Sequence, residues 1–286
     1  RDSLGPWEYH SFFAQLIDFL PNKPDAWGDQ PRKYLAMHQL LWRPLRGTSV
    51  GVFEGVMYNP WTPRGRRGWE LQYFIPVIFY RAVEQALGSP DNAILGLFAR
   101  SNLLRRLQLY GQILIDDYNF GKRKEGSGWW GNKFAYQLGF KAFDIGLPTL
   151  DLQLELNVVQ PYTYSHSNVS AAWVHHGQFL GHPYGANLRD LTALVRYQPL
   201  PGLTLEGRYS LIQQGQNLPG QNWGSSPFES DITHVQDFGN RLLQGRRVQY
   251  QLVHGRVAWQ PSVLPLFLEA EAFWRNAQKG GLLTLR

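Results

Sequence analysis

The stretch LDLQLELNVV, residues 150–159, alternates strictly between two kinds of side chain. Leu150, Leu152, Leu154, Leu156 and Val158 fall on one side of an extended chain. Asp151, Gln153, Glu155 and Asn157 fall on the other. A period of two is the side-chain period of a β-strand. One face of this strand suits oil and the other suits water. Its length narrows the choice further: strands of soluble domains run about 5–6 residues, whereas a strand crossing a bilayer needs about 9–11.

The pattern recurs. FAYQLGFKA sets Phe134, Tyr136, Leu138 and Phe140 against Lys133, Gln137 and Lys141. LQLYGQILID sets Leu107, Leu109, Ile113 and Ile115 against Gln108, Gln112 and Asp116. LTLEGRYSL and LFLEAEAFWR repeat it at 203–211 and 266–275. Weaker strands are expected at 9–17, 34–43, 48–58, 92–100, 189–198 and 248–259, with a last one from Leu282. In 248–259 the apolar positions change phase, which suggests a bulge near Leu252. The expected fold is all-β, an antiparallel transmembrane β-barrel with about 12 strands in this chain.

The connections support a membrane barrel over a soluble β-sandwich or a large lipocalin-like barrel. PLRG (44–47), SNLLRR (101–106), DIGLPT (144–149), PLPG (199–202) and PSVLP (261–265) are short. Between them lie long segments near 19–32, 59–91, 118–132, 160–188 and 214–246. An outer-membrane barrel sorts its connections this way, with short periplasmic turns and long outside loops. Trp42, Tyr58, Phe143, Tyr197, Trp259 and Trp274 near strand ends fit an aromatic girdle.

Composition excludes several classes. No apolar run approaches the roughly 18 residues of a membrane helix, and mean hydropathy is −0.34. There is no cysteine, so disulfide scaffolds and thiolate chemistry are out. The net charge is +6, from 28 basic and 22 acidic residues. Arginine dominates the basic set, which suits forked contacts to carboxylates and phosphates. No nucleic-acid-binding motif accompanies that charge.

Six segments in order carry a family resemblance: PRKYLAMHQLLWRP (31–44), FIPVIFYRAVEQALGSPDNAILG (74–96), LQLYGQILIDDY (107–118), GWWGNKFAYQLGFKAFD (128–144), LDLQLELNVVQPYTYSH (150–166) and GHPYGANLRDLTALVRYQPLPGLTLEGRYS (181–210). Together they resemble the Wzi-like capsule-assembly family, in particular its Bacteroidetes branch of RemB-type gliding-motility proteins. The resemblance implies a non-enzymatic, multi-pass barrel of the bacterial outer membrane. It implies attachment of capsule or exopolysaccharide, or support of surface adhesion and gliding. Members are longer, so residues 1–286 are expected to be one barrel domain, incomplete at both ends, from the C-terminal part of a barrel of roughly 18 strands. The alternative function is a porin-like channel for small solutes.

Candidate contacts for surface polysaccharide lie in two long segments. GKRKEGSGWWGNK (121–133) offers the flat faces of Trp129 and Trp130 and the charges of Lys122, Arg123 and Lys124. Sugar rings stack on such faces, and cations attract the carboxylates of acidic glycans. The segment 160–185 adds Tyr162, Tyr164 and Trp173. Its His166, His175, His176 and His182 do not make a metal site, because His175 and His176 are adjacent and no acid stands at ligand spacing. SHSN (165–168) holds hydrolase residue types without hydrolase spacing. No cofactor is expected.

The remaining partners are outer-membrane lipid, lipopolysaccharide and other envelope proteins. WTPRGRRGWE (61–70) is a basic turn suited to lipopolysaccharide phosphate or anionic glycan, and YRAVEQALGSPDN (80–92) reads as a short helix. The inward positions Lys133, Lys141, Asp151, Glu155, Arg196, Glu206, Arg208, Glu269, Glu271 and Arg275 carry both signs. Mixed signs favour internal pairing and a filled bore. Glu269 and Glu271 are expected to pair with Arg256 and Arg275.

Overall fold

The structure is a computed structural model, and it describes residues 2–17, 32–58, 61–62, 65–66, 91–125, 127–261, 265–277 and 281–285. The expected helix at 80–92 and the apolar run 74–80 fall outside these residues, apart from the strand start at 92. Of the basic turn 61–70, only two short paired strands are described. No helix among the described residues is long and apolar enough to cross a membrane.

In chain order the strands are β1 (Asp2–Leu4), β2 (Trp7–Ile17), β3 (Arg32–Leu45), β4 (Thr48–Tyr58), β5 (Trp61–Thr62), β6 (Gly65–Arg66), β7 (Asn92–Leu104), β8 (Leu107–Asp117), β9 (Lys133–Ala142), β10 (Leu150–Val159), β11 (Val174–His175), β12 (Gln178–Phe179), β13 (Leu188–Leu200), β14 (Leu203–Gln216), β15 (Arg246–Trp259), β16 (Leu268–Ala277) and β17 (Gly281–Leu285). Among the described residues one α-helix, α1, spans Phe120–Glu125, within the long segment expected near 118–132. Thirteen strands form a single sheet. Each pairs antiparallel with its predecessor in that sheet. All twelve expected strands are present, and the three-residue β1 is an addition. The sheet is an up-and-down antiparallel meander; its first and last strands are not paired with each other.

Register fixes the faces. Leu156 lies opposite Leu138 on one side and Leu191 on the other, and Leu191 lies opposite Leu211. This row crosses four strands on the outer face, where Leu138 is 65% and Leu191 47% exposed. Leu97, Leu109, Ile113, Val253 and Val257 extend the exposed apolar band. Water would penalise such a surface by roughly 25 cal/mol per Å2, so the band suits contact with an apolar surrounding. At the turn end Trp7 and Trp42 stack with ring centres 5.6 Å apart, and Trp259 is exposed. The girdle expectation needs two corrections. Tyr58 is fully buried, and Trp274 sits in mid-strand opposite Val253. Toward the loop end of β3, β4 and β7 the outer face is covered, with Tyr34, Ala36, Val56, Tyr58 and Ala93 in one buried cluster.

No bulge occurs at Leu252. β15 runs in unbroken register with β14 from Arg246 opposite Gln216 to Trp259 opposite Leu203. The apparent phase change has a different cause. Tyr250 points inward and is solvated by protein, accepting a hydrogen bond from Gln216 and packing on Tyr184 at 5.5 Å. Near the loop end the inner face is therefore apolar as well. Leu16, Leu35, Met57, Ile94, Ala135, Val159 and Leu188, from seven different strands, meet Tyr164 and Trp173 in one core. Strands that far apart share a core only because the sheet curls.

Two long connections fill the curl. The segment after β10 reaches across to β2, where the Ile17 amide donates to His175 Nδ1 at 3.1 Å and the His176 amide to the Ile17 carbonyl at 2.9 Å. Lys33 donates to the Ala172 carbonyl at 2.8 Å. The segment after β14 is tied in by Asn187. Its side chain donates to the carbonyls of Gly215, Trp223 and Gln244 and accepts from the Leu243 amide. These segments form a plug at the loop end.

Candidate functional site: a polar vestibule beneath a plug

Below the plug, the inner faces of β2–β4 and β7–β10 line an open cavity of about 820 Å3. Its wall is set by strand alternation, which turns Gln39, Gln108, Gln112, Gln137 and Gln153 inward. Two acids face it, and both are occupied. Glu8 receives Arg43 at 2.8 Å. Glu155 accepts from the Tyr110 hydroxyl at 2.6 Å and from Asn157 at 3.0 Å. Gln153 donates to the same hydroxyl, and Gln137 to Asn157. Such a fully used network holds its side chains in place.

Three aromatic rings on this wall lie against glycines. Phe53 is the cross-strand partner of Gly96, and Phe98 that of Gly51. A Cβ on Gly96 would stand 2.1 Å from the Phe53 ring, and one on Gly51 2.4 Å from the Phe98 ring. Tyr110 crosses Gly139 in the same way, at 2.4 Å, and so reaches Glu155 one strand further on. Any side chain at these three positions would lift the rings off the wall. The sequence contains the signal, an inward glycine opposite an inward aromatic, but it becomes legible only when the register is known.

From β10 across β13–β16 the inner face carries a row of alternating charge. Asp151, Arg196, Glu206, Arg256 and Glu271 are successive cross-strand partners. Arg256 contacts Glu269 at 2.7 Å, Glu206 at 3.5 Å and Glu271 at 3.8 Å. Internal pairing was expected, but Arg275 takes no part in the ion pairs of the described residues. It stands opposite Leu252 and Leu282.

At the junction of wall and plug, Lys133 is buried and pairs with Asp231 at 2.7 Å. It also donates to the Ser165 carbonyl at 3.2 Å. Asp116 accepts from the Tyr164 amide at 2.7 Å. The second oxygens of Asp116 and Asp231 are buried with no hydrogen-bond partner. One ammonium thus serves two carboxylates and both plug segments. Burial and then the Lys133 charge hold His166 below its ordinary value, while burial pushes Tyr162 up to about 12.

The structure distributes the sequence candidates unevenly. Tyr162, Tyr164 and Trp173 are buried in the plug, so a surface glycan does not reach them in this conformation. Trp129 and Trp130 are half-buried. Trp130 stacks on His234 at 4.2 Å, and Trp129 packs on Phe238 at 5.2 Å. Together they border a recess of about 310 Å3 that also includes Tyr118, Asn132 and Asn240. Lys122 lies 5.3 Å from the Trp129 ring and pairs with Glu125. Arg123 and Lys124 belong to α1. No group of three metal-ligating side chains occurs among the described residues.

Comparison with protein-family models finds no match. Comparison with curated proteins finds none either. Among solved structures, the crystal structure of Pseudomonas aeruginosa OccD3 (OpdP) is similar, with 12% identity, a TM-score of 0.35, and coverage of 96% of this chain and 73% of that chain. A superposition this loose assigns neither relationship nor substrate. The Wzi-like resemblance of the sequence has no counterpart among these matches.

Proposed function

We propose that this chain forms the wall and plug of an outer-membrane barrel that takes up small polar solutes through its vestibule. The observation that carries the reading is the cavity of about 820 Å3, lined by amides, charges and aromatic rings on the inner face while the outer face is apolar. A non-enzymatic role suits it, since the inward acids are spent on hydrogen bonds and ion pairs. The plug makes passage conditional: solute enters the vestibule freely, and crossing requires displacement of the segments that meet at Lys133.

Planar-bilayer recording tests this. Wild-type protein should give small or rare conductance steps, and Lys133→Met, which cuts the main tie between plug and wall, should give larger or more frequent ones. Absence of conductance from both proteins would remove the channel reading.

A second reading, attachment of surface polysaccharide with adhesion or gliding as its outcome, draws on one observation: the aromatic recess at Trp129 and Trp130. It accords with the resemblance of the sequence to Wzi-like proteins. A glycan array probed with wild-type protein and with a Trp129→Ala/Trp130→Ala variant tests it. Equal retention of glycan by the two would dismiss those residues.

A further inference from the structure

The vestibule has more chemistry than a passive pore lining requires. Phe53, Phe98 and Tyr110 lie against the wall, pinned over Gly96, Gly51 and Gly139, and all three line the cavity. Phe53 and Phe98 are neighbours, 6.3 Å between ring centres. A ring held down over a glycine offers a fixed apolar surface, and it loses no side-chain freedom when something docks on it. The glutamines around the strip supply donors and acceptors in pairs. Apolar faces beside amides match the two aspects of a pyranose, whose C–H faces are apolar and whose rim is hydroxylated.

The charges select among sugars. Glu8 and Glu155, the acids of the cavity, are occupied by Arg43 and by Tyr110 with Asn157. Arg100 and Lys141 line the same cavity without a carboxylate partner among the described residues. Both flank Tyr110. Arg100 is its cross-strand neighbour, and the Lys141 ammonium lies 5.9 Å from its ring centre. We propose that this aromatic strip is a binding site for a pyranose carrying a carboxylate, a uronic acid, stacked on the rings with its carboxylate between Arg100 and Lys141. The proposal rests on the solute-uptake reading and names its substrate class. The cavity's volume lies in the usual range for small-molecule sites.

Calorimetry on the detergent-solubilised chain with D-glucuronate, D-glucose and acetate tests the site without any need for conduction. Glucuronate should bind about tenfold or more tighter than either glucose or acetate, because only it uses both rings and cations. Arg100→Gln/Lys141→Gln should remove the preference for glucuronate over glucose. Arg100 is exposed and Lys141 is half-buried, so a denaturant titration of the double variant should match wild type. Phe98→Leu should weaken both sugars and leave acetate alone. Equal affinity for glucuronate and glucose would overturn the proposal, as would a preference that survives the double substitution. Glucuronate binding without bilayer conductance would leave the site standing and remove only the channel; conductance without the preference would do the reverse.

Discussion

Replacing Lys133 by Met keeps the aliphatic stem and deletes the ammonium. The side chains of Lys133 and Asp231 are 5% and 4% exposed, so water does not replace what is lost. Asp231 then has no ion-pair partner among the described residues, and Asp116 loses the Lys133 charge. The Ser165 carbonyl loses its donor. Removing one member of a buried ion pair costs about 3–5 kcal/mol, and here two carboxylates are stranded, so the upper part of that range applies. A loss of even about 3 kcal/mol raises the open population of the plug by about 100-fold. Amide hydrogen exchange in detergent at pH 7 reads this directly. Exchange across 161–166 and 231–234 should accelerate by about 100-fold or more, while β13–β15 stay protected. The double variant Lys133→Met/Asp231→Leu should recover a large part of the loss, because it no longer buries an unpaired Asp231. Unchanged exchange in the single variant would refute the view that this pair ties plug to wall.

Three further outcomes follow from the geometry. Leu138→Arg should destabilise insertion into lipid vesicles by about 2–4 kcal/mol, as an arginine on the lipid face does; Gln137→Arg, one residue away but inward, should cost far less, and equal costs would reverse the assignment of faces. Tyr110→Phe removes a hydrogen bond to a carboxylate, worth about 1.5–3 kcal/mol at most for a part-buried pair; a denaturant titration in detergent should place the loss within or below that range, and no loss would mean that Glu155 is not held by Tyr110. His166 has a folded-state value below its ordinary 6.5 because it is buried beside Lys133. Undocking therefore binds a proton, so its contribution is complete above about pH 6.5 and declines as pH falls from there toward the lowered value. Plug protection in wild type should fall relative to His166→Gln over that window, and parallel pH profiles would contradict it.

The wall was legible because its instructions are local. Strand alternation needs only residues two apart, and a lipid-facing strand must be long and oily on one side whatever its neighbours do. LDLQLELNVV and 48–58 came out with the same bounds in the sequence and the structure, and FAYQLGFKA gained only Lys133 at its start. The site was not legible, because it depends on register and curl. Glu269 pairs with Arg256 and not Arg275 since Arg256 lies across the strand boundary on the same face, a fact no spacing within β16 contains. The apolar residues around Tyr250 read as a bulge until Tyr250 is seen to pack inward on Tyr184 of the plug. Tyr110 reads as an ordinary inward aromatic until Gly139 is found beside it. The sequence by itself determined a one-sidedly oily antiparallel sheet of membrane-crossing length, since two-residue periodicity is a property of the chain. Only the tertiary structure decided what fills that sheet and which cations lack a carboxylate partner among the described residues, since both follow from contacts between residues tens to more than a hundred positions apart.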